Sequence, residues 1–260
     1  WPTTQIYLGL TIAMLIMASI SPFVARLLAR FGGQHIVVSG TLAIAAGCFI
    51  MAAAPPLSGW LGAWLLTGIG MRLALYDTLF AALVNLYGQQ ARRTISGVTL
   101  AGGLASALFW PLGAFLLTMM SWREALLVYA LLGLFSALLL WRMPNAWRPA
   151  AIRPEAHRPA SRQQRQVALL YAALIALVTF VSNGTSTHLP EFIAHYGLPV
   201  AAGMLWGIGQ TGARFLEVAS GSVLTPLRLT LLTTLLMPVC FALGLSGPYL
   251  LWAAGGFVLG

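Results

Sequence analysis

Lysine is absent from this sequence and acidic side chains are scarce: all 14 basic positions are arginine, set against 5 Asp and Glu. Charged residues total 7%, where a soluble globular domain carries about 25%. That deficit excludes an ordinary water-soluble fold. Cysteine is also rare: Cys48 and Cys240 each sit inside an apolar run, without metal-ligand spacing. Both read as small buried hydrophobes, which excludes a disulfide framework and a thiolate metal centre. The 4 histidines, His35, His157, His188 and His195, are scattered. No HExxH, Walker-A or paired CxxC pattern is present, and no voltage-sensor repeat of positive charge. GIGQTG at 207–212 is glycine-rich but lies inside an apolar run, so it is not a phosphate loop. A membrane enzyme needs a convergent nucleophile and base, or metal ligands, and the sequence supplies neither. The expectation is no enzyme, no metal and no cofactor.

What fills the chain instead is apolar: 59% of its 260 residues are hydrophobic, and the mean hydropathy is +0.86. Apolar runs of about 20 residues, the length that crosses a bilayer as helix, recur along it. The fold class is all-α, a polytopic helical membrane protein. The net charge of +9 does not point to nucleic acid, because the arginines cluster in short loops, as they do when a membrane protein sets its orientation.

The spacing predicts spans over about 4–28, 36–54, 57–88, 95–119 and 122–142, then 167–190, 199–224 and 228–246, with a ninth beginning near Pro248. Alternate loops hold Arg26 and Arg30, Arg92 and Arg93, the arginine-rich stretch 143–166, and Arg228, while the loops between them hold only Arg123. Basic loops face the cytoplasm, which puts Trp1 outside and 143–166 inside. Prolines and arginines alternate through 143–166 with no apolar period, so this is a solvated linker. It separates an N-terminal bundle, 1–142, from a C-terminal bundle, 167–260. Trp1 at the start and an apolar run at Gly260 lead to the expectation of a fragment, with one span missing ahead of Trp1 and the end truncated. Two six-span halves on a cytoplasmic linker is the layout of secondary transporters built from repeats.

The third run, 57–88, carries Arg72, Tyr76 and Asp77 near its middle. An ionisable group there costs roughly 2.5–3.5 kcal/mol on insertion scales, so such groups mark a cavity or a partner. On one continuous helix Arg72 and Tyr76 share a face. Asp77 would sit about 140° round from Arg72, so its partner is expected on another helix. In the seventh run Gln210 shares a face with Arg214, and Glu217 can partner that arginine on the same helix. Late in the sixth run Asn183, Ser186 and Thr187 offer hydrogen bonds, His188 is a wetted histidine able to titrate, and Glu191 is solvated. Gly97, Gly102, Gly103 and Ser106, and separately Gly203, Gly207, Gly209 and Gly212, let another helix come close. Trp110-Pro111 predicts a kink in the fourth run.

Several stretches carry a resemblance. ARLLARFGGQ is similar to the glycine-rich signature loop of the major facilitator superfamily, with Ala29 where that family usually has aspartate. TGIG at 67–70 resembles its fourth-helix motif. GVTLAGGLASALFWPLG at 97–113 resembles its fifth-helix motif but lacks the Gly-Pro pair linked to antiport. YGQQARRTISGVTLAGG, WPLG and SWREALLVYALLGL further resemble the monocarboxylate and oxalate transporter-like branch. The resemblance implies a two-bundle fold, incomplete, covering helices two to ten of twelve. It also implies that Arg214, on the helix where that branch places a carboxylate-binding arginine, contacts substrate.

The resulting expectation is a secondary active transporter of a small solute, an organic anion, working by alternating access. Arg72, Tyr76, Arg214, Gln210 and Asn183 form the substrate site, and Asp77, Glu217 and His188 serve proton coupling or gating. The partners are the solute, the lipid bilayer and H⁺ as coupling ion, with no nucleic acid, in a monomer of a bacterial inner membrane. The alternatives are a multidrug or metabolite exporter of the same superfamily, and a transport-inactive receptor or scaffold.

Overall fold

The structure is a computed structural model, and it describes residues 3–53, 56–145, 161–220 and 226–244. The described residues form α-helices joined by short connections, with two single 3₁₀ turns and no strand. They are α1 (Thr3–Phe31), α2 (Gly33–Ala52), α3 (Leu57–Ala74), α4 (Tyr76–Tyr87), α5 (Ala91–Met119), α6 (Trp122–Leu140), α7 (Arg162–His195), α8 (Met204–Ser220) and α9 (Pro226–Gly244). Among the described residues six stretches are long and apolar enough to cross a membrane: α1, α2, α3 with α4, α5, α6 and α7. A helix satisfies its own backbone groups, which is why apolar runs surrounded by lipid take this form. The seventh and eighth expected spans correspond to α8 and α9. The ninth, and most of the linker, fall outside the described residues.

Two boundaries depart from the sequence reading. The third run is not one helix: it breaks at Leu75, which is extended at φ −80° and ψ −179°. The sixth runs on through Pro190 to His195, since losing one N–H does not end a helix whose neighbouring turns stay bonded. Pro111 also lies inside an uninterrupted α5. The turn between α1 and α2 needs Gly32, whose φ of +82° disfavours any side chain. SWRE starts α6 as a capping box: the Glu124 amide donates to Ser121 Oγ, and the Ser121 amide donates to Glu124 Oε2 at 2.7 Å.

The chain resolves into two compact units, Trp1–Ile95 with Leu116–Ile152, and Ser96–Phe115 with Arg153–Gly260. In the first, α2 is the inner helix, packed on α3 and α6. Small residues make this possible. Gly40 lies against the backbone of α3 at Gly70 and Ala74, Gly47 against Thr67, and Ala45 against Gly133 of α6. On the other flank of α3, Gly68 meets the backbone of Ala13 on α1. Where lipid tails are as apolar as the side chains, close backbone approach replaces the hydrophobic effect as the source of helix association.

In the second unit Leu189 and Ile193 of α7 pack with Ala202 and Trp206, and Trp110 of α5 closes the cluster. The middle of α5 lies along α8: Gly103 faces Thr211, Gly207 faces the backbone of Ala107, and Gly203 faces the Trp110 ring. Gly103 of the first glycine stripe and Gly203 and Gly207 of the second thus lie in one contact between α5 and α8, while Gly97 has open space around it.

Candidate functional site

The break at Leu75 builds the first group. Leu75 N–H closes α3 on the Met71 carbonyl at 3.0 Å. The Leu75 carbonyl then starts α4, accepting from Thr78 and Leu79 N–H at 3.1 Å each. An unbroken helix would have offered Tyr76 N–H to the Arg72 carbonyl. The Thr78 hydroxyl, fully buried, donates to that carbonyl instead at 2.7 Å. One side chain thus repairs the backbone at the interruption.

The same break resets the helical phase and brings Asp77 back to Arg72. The guanidinium Nη1 of Arg72 donates to Asp77 Oδ2. This corrects the expectation of a partner on another span: Asp77 pairs within its own run, across the break from α3 to α4, because the rotation of about 100° per residue does not run through an extended residue. Tyr76 is not stacked one turn from Arg72 either: it is exposed, with its ring on Phe80 at 5.3 Å between centroids. Arg72 is mostly covered, 18% exposed against 76% for Asp77. Its Nε is buried without a hydrogen-bond partner. Leu73 and Ala74 face Gly40 of α2, about 10 Å along that helix from its start at Gly33. The charged pair therefore begins at a level nearer the middle of the 20-residue α2 than its Gly33 end.

Thr78 and Leu75 escaped the sequence reading. A signal was present: Asp77 and Thr78 are residue types favoured in the first turn of a helix, so Tyr76-Asp77-Thr78 marks a helix start inside an apolar run.

The other candidates lie in the second unit. Gln210 and Arg214 are both half-buried, one turn apart on α8. Asn183 is exposed on α7. His188 Nδ1 lies 3.0 Å from Glu191 Oε2, with both side chains about half exposed, 52% and 56%. Glu191 is thus paired and not simply solvated, because α7 continues past Pro190 and sets the two one turn apart. The Glu217 side chain lies outside the described residues. Beside Gly212, an apolar groove between α5 and α8 is lined by Gly97, Leu100, Leu104, Ile208 and Phe215. Among the described residues no three His, Cys, Asp or Glu side chains group as metal ligands.

An integral-membrane helical protein with the Arg72–Asp77 pair inside one of its spans is the setting in which the sequence comparisons fall. Residues 1–260 match the Major Facilitator Superfamily, and the chain belongs to it. A stretch of 116 residues, 44% of this chain, is 34% identical to monocarboxylate transporter 13 of Rattus norvegicus. The same extent and identity hold against monocarboxylate transporter 13 of Bos taurus. The matched stretch spans 27% of each relative's length.

Proposed function

We propose that this chain serves in a secondary active transporter that moves a small organic anion by alternating access, coupled to protons. One observation carries the reading: Arg72 is kept inside a membrane-spanning stretch, at a helix break, with one nitrogen on Asp77 and another buried and unbonded. Interrupted helices and intramembrane charge are features of transporter binding sites. A guanidinium suits a carboxylate because its planar fork donates two parallel hydrogen bonds. The name of the relatives, monocarboxylate transporter, supports a monocarboxylate as the anion carried.

In this reading Arg72 and Arg214 draw in the anion, and Tyr76, Gln210 and Asn183 orient it. Asp77 competes with the substrate for Arg72, so its protonation frees the guanidinium for the incoming carboxylate. Glu217 and His188 are further proton or gating groups. The working halves are 1–142 and 167–260, joined by a cytoplasmic segment 143–166, with the Trp1 end outside and a bacterial plasma membrane as the host. Within the second unit, Gly103, Gly203 and Gly207 let α5 and α8 approach closely.

The test is uptake of radiolabelled monocarboxylates by the full-length protein in proteoliposomes under an imposed proton gradient. Arg72→Ala and Arg214→Ala should each reduce uptake at least tenfold with unchanged insertion. Undiminished uptake in both removes the anion site, and uptake that ignores the gradient removes the coupling.

A further inference from the structure

Five arginines gather at one end of the first unit. Arg26 and Arg30 lie in the last turns of α1, Arg92 and Arg93 in the first turn of α5, and Arg142 just past α6, all of them exposed. Three contacts bring these helix ends together. The Gln34 amide donates to the Trp141 carbonyl. The Asn145 amide meets His35 Nδ1 at 2.8 Å. Gly33 lies on Ala82 of α4, and Leu86, one turn on, lines the same small recess as Gly33 and Asn145. From Tyr87 only the short turn Gly88–Gln90 leads to Arg92.

No carboxylate answers this charge among the described residues of the unit. Asp77 is held by Arg72 at the far end of the 12-residue α4. Glu124 caps the opposite end of the 19-residue α6 from Arg142. Aromatic rings are interleaved with the arginines instead. Phe31, Tyr87 and Trp141 are exposed, and the Arg30 guanidinium lies 5.2 Å from the Phe31 ring centroid. Phe23, also exposed, precedes Arg26 by three residues and Arg30 by seven, so ring and guanidinium groups share one stripe of α1.

We infer that this end of the unit is a binding surface for anionic phospholipid headgroups, centred on Arg26 and Arg30. Guanidinium forks match phosphate oxygens. The rings and Phe23 lie where the glycerol and upper acyl chain of the same lipid would run. A free phosphate ion or an acidic peptide would satisfy the arginines and leave that apolar stripe uncovered. Charge and apolar surface together therefore select a lipid.

The full-length protein in neutral detergent is titrated with phosphatidylglycerol and with phosphatidylcholine of the same chains, read by native mass spectrometry and by thermal shift. Phosphatidylglycerol should bind at least tenfold more tightly, and 0.5 M salt should weaken it. R26Q/R30Q should lower that affinity about 25-fold, at roughly fivefold per arginine. R123Q removes a similar arginine-on-ring pair at the other end of α6 and should leave it unchanged. If R26Q/R30Q fails to fold, R92Q/R142Q bears the same expectation. Wild-type preference in the folded variant, an equal loss in R123Q, or full competition by millimolar inorganic phosphate would each overturn the inference.

Discussion

Asp77 reaches back across an extended Leu75 to pair with Arg72, although an unbroken helix would hold the two on different faces. The pair exists because the helix is interrupted, and its energetics can be separated from those of the interruption.

Removing the acid alone should hurt more than removing both charges. Asp77→Ala strands a mostly covered guanidinium and should cost about 1–2 kcal/mol, less than a fully buried pair because Asp77 itself is exposed. The double variant Arg72→Ala/Asp77→Ala should recover at least half of that loss. Thermal unfolding of the four proteins of this cycle in one detergent measures the coupling, and strict additivity would mean the pair contributes nothing.

Thr78→Val keeps the shape and removes the hydroxyl that satisfies the Arg72 carbonyl. A buried acceptor left bare costs about 1–3 kcal/mol, so the unfolding midpoint should fall, while Thr78→Ser should stay near wild type. The same variant should also loosen the Arg72–Asp77 pair, visible as a smaller coupling in the cycle above.

Two glycine substitutions should differ in sign. A Cβ at Gly40 would stand 2.8 Å from the Ala74 nitrogen and 2.9 Å from the Gly70 carbonyl oxygen. Backbone atoms cannot yield as a side chain does, so Gly40→Ala should destabilise by about 1–3 kcal/mol. Gly62 has nothing within 4 Å of a built Cβ, and Gly62→Ala should gain up to about 1 kcal/mol from helix propensity.

On α8, Gly207→Ala sets a methyl against the Ala107 backbone of α5. Turnover in proteoliposomes should fall at least fivefold while substrate still shifts the melting temperature. Gly97→Ala, with open space around it, serves as the control and should transport normally.

Much of this architecture was readable from residue order. Apolar length located the helices, Ser121 and Glu124 marked where α6 starts, and the glycines of α5 and α8 announced close neighbours. The identity of those neighbours was not readable, because a small residue reports a near approach and not the approaching helix. The interruption at Leu75 was hidden by a residue that is itself a good helix former, so Arg72 and Asp77 were projected onto a phase that does not persist. Pro190 misled in the opposite direction: it suggested an end where α7 continues, and with that the pairing of His188 with Glu191 was lost.

The inner position of α2 bears on how the first unit is made. Its Ala45 rests on Gly133 of α6, a helix the ribosome delivers only after α3, α4 and α5. Until then one flank of α2 has lipid or the insertion machinery for a neighbour. Assembly of this unit therefore finishes late in translation, and a lesion in α6 would be felt first as a poorly seated α2.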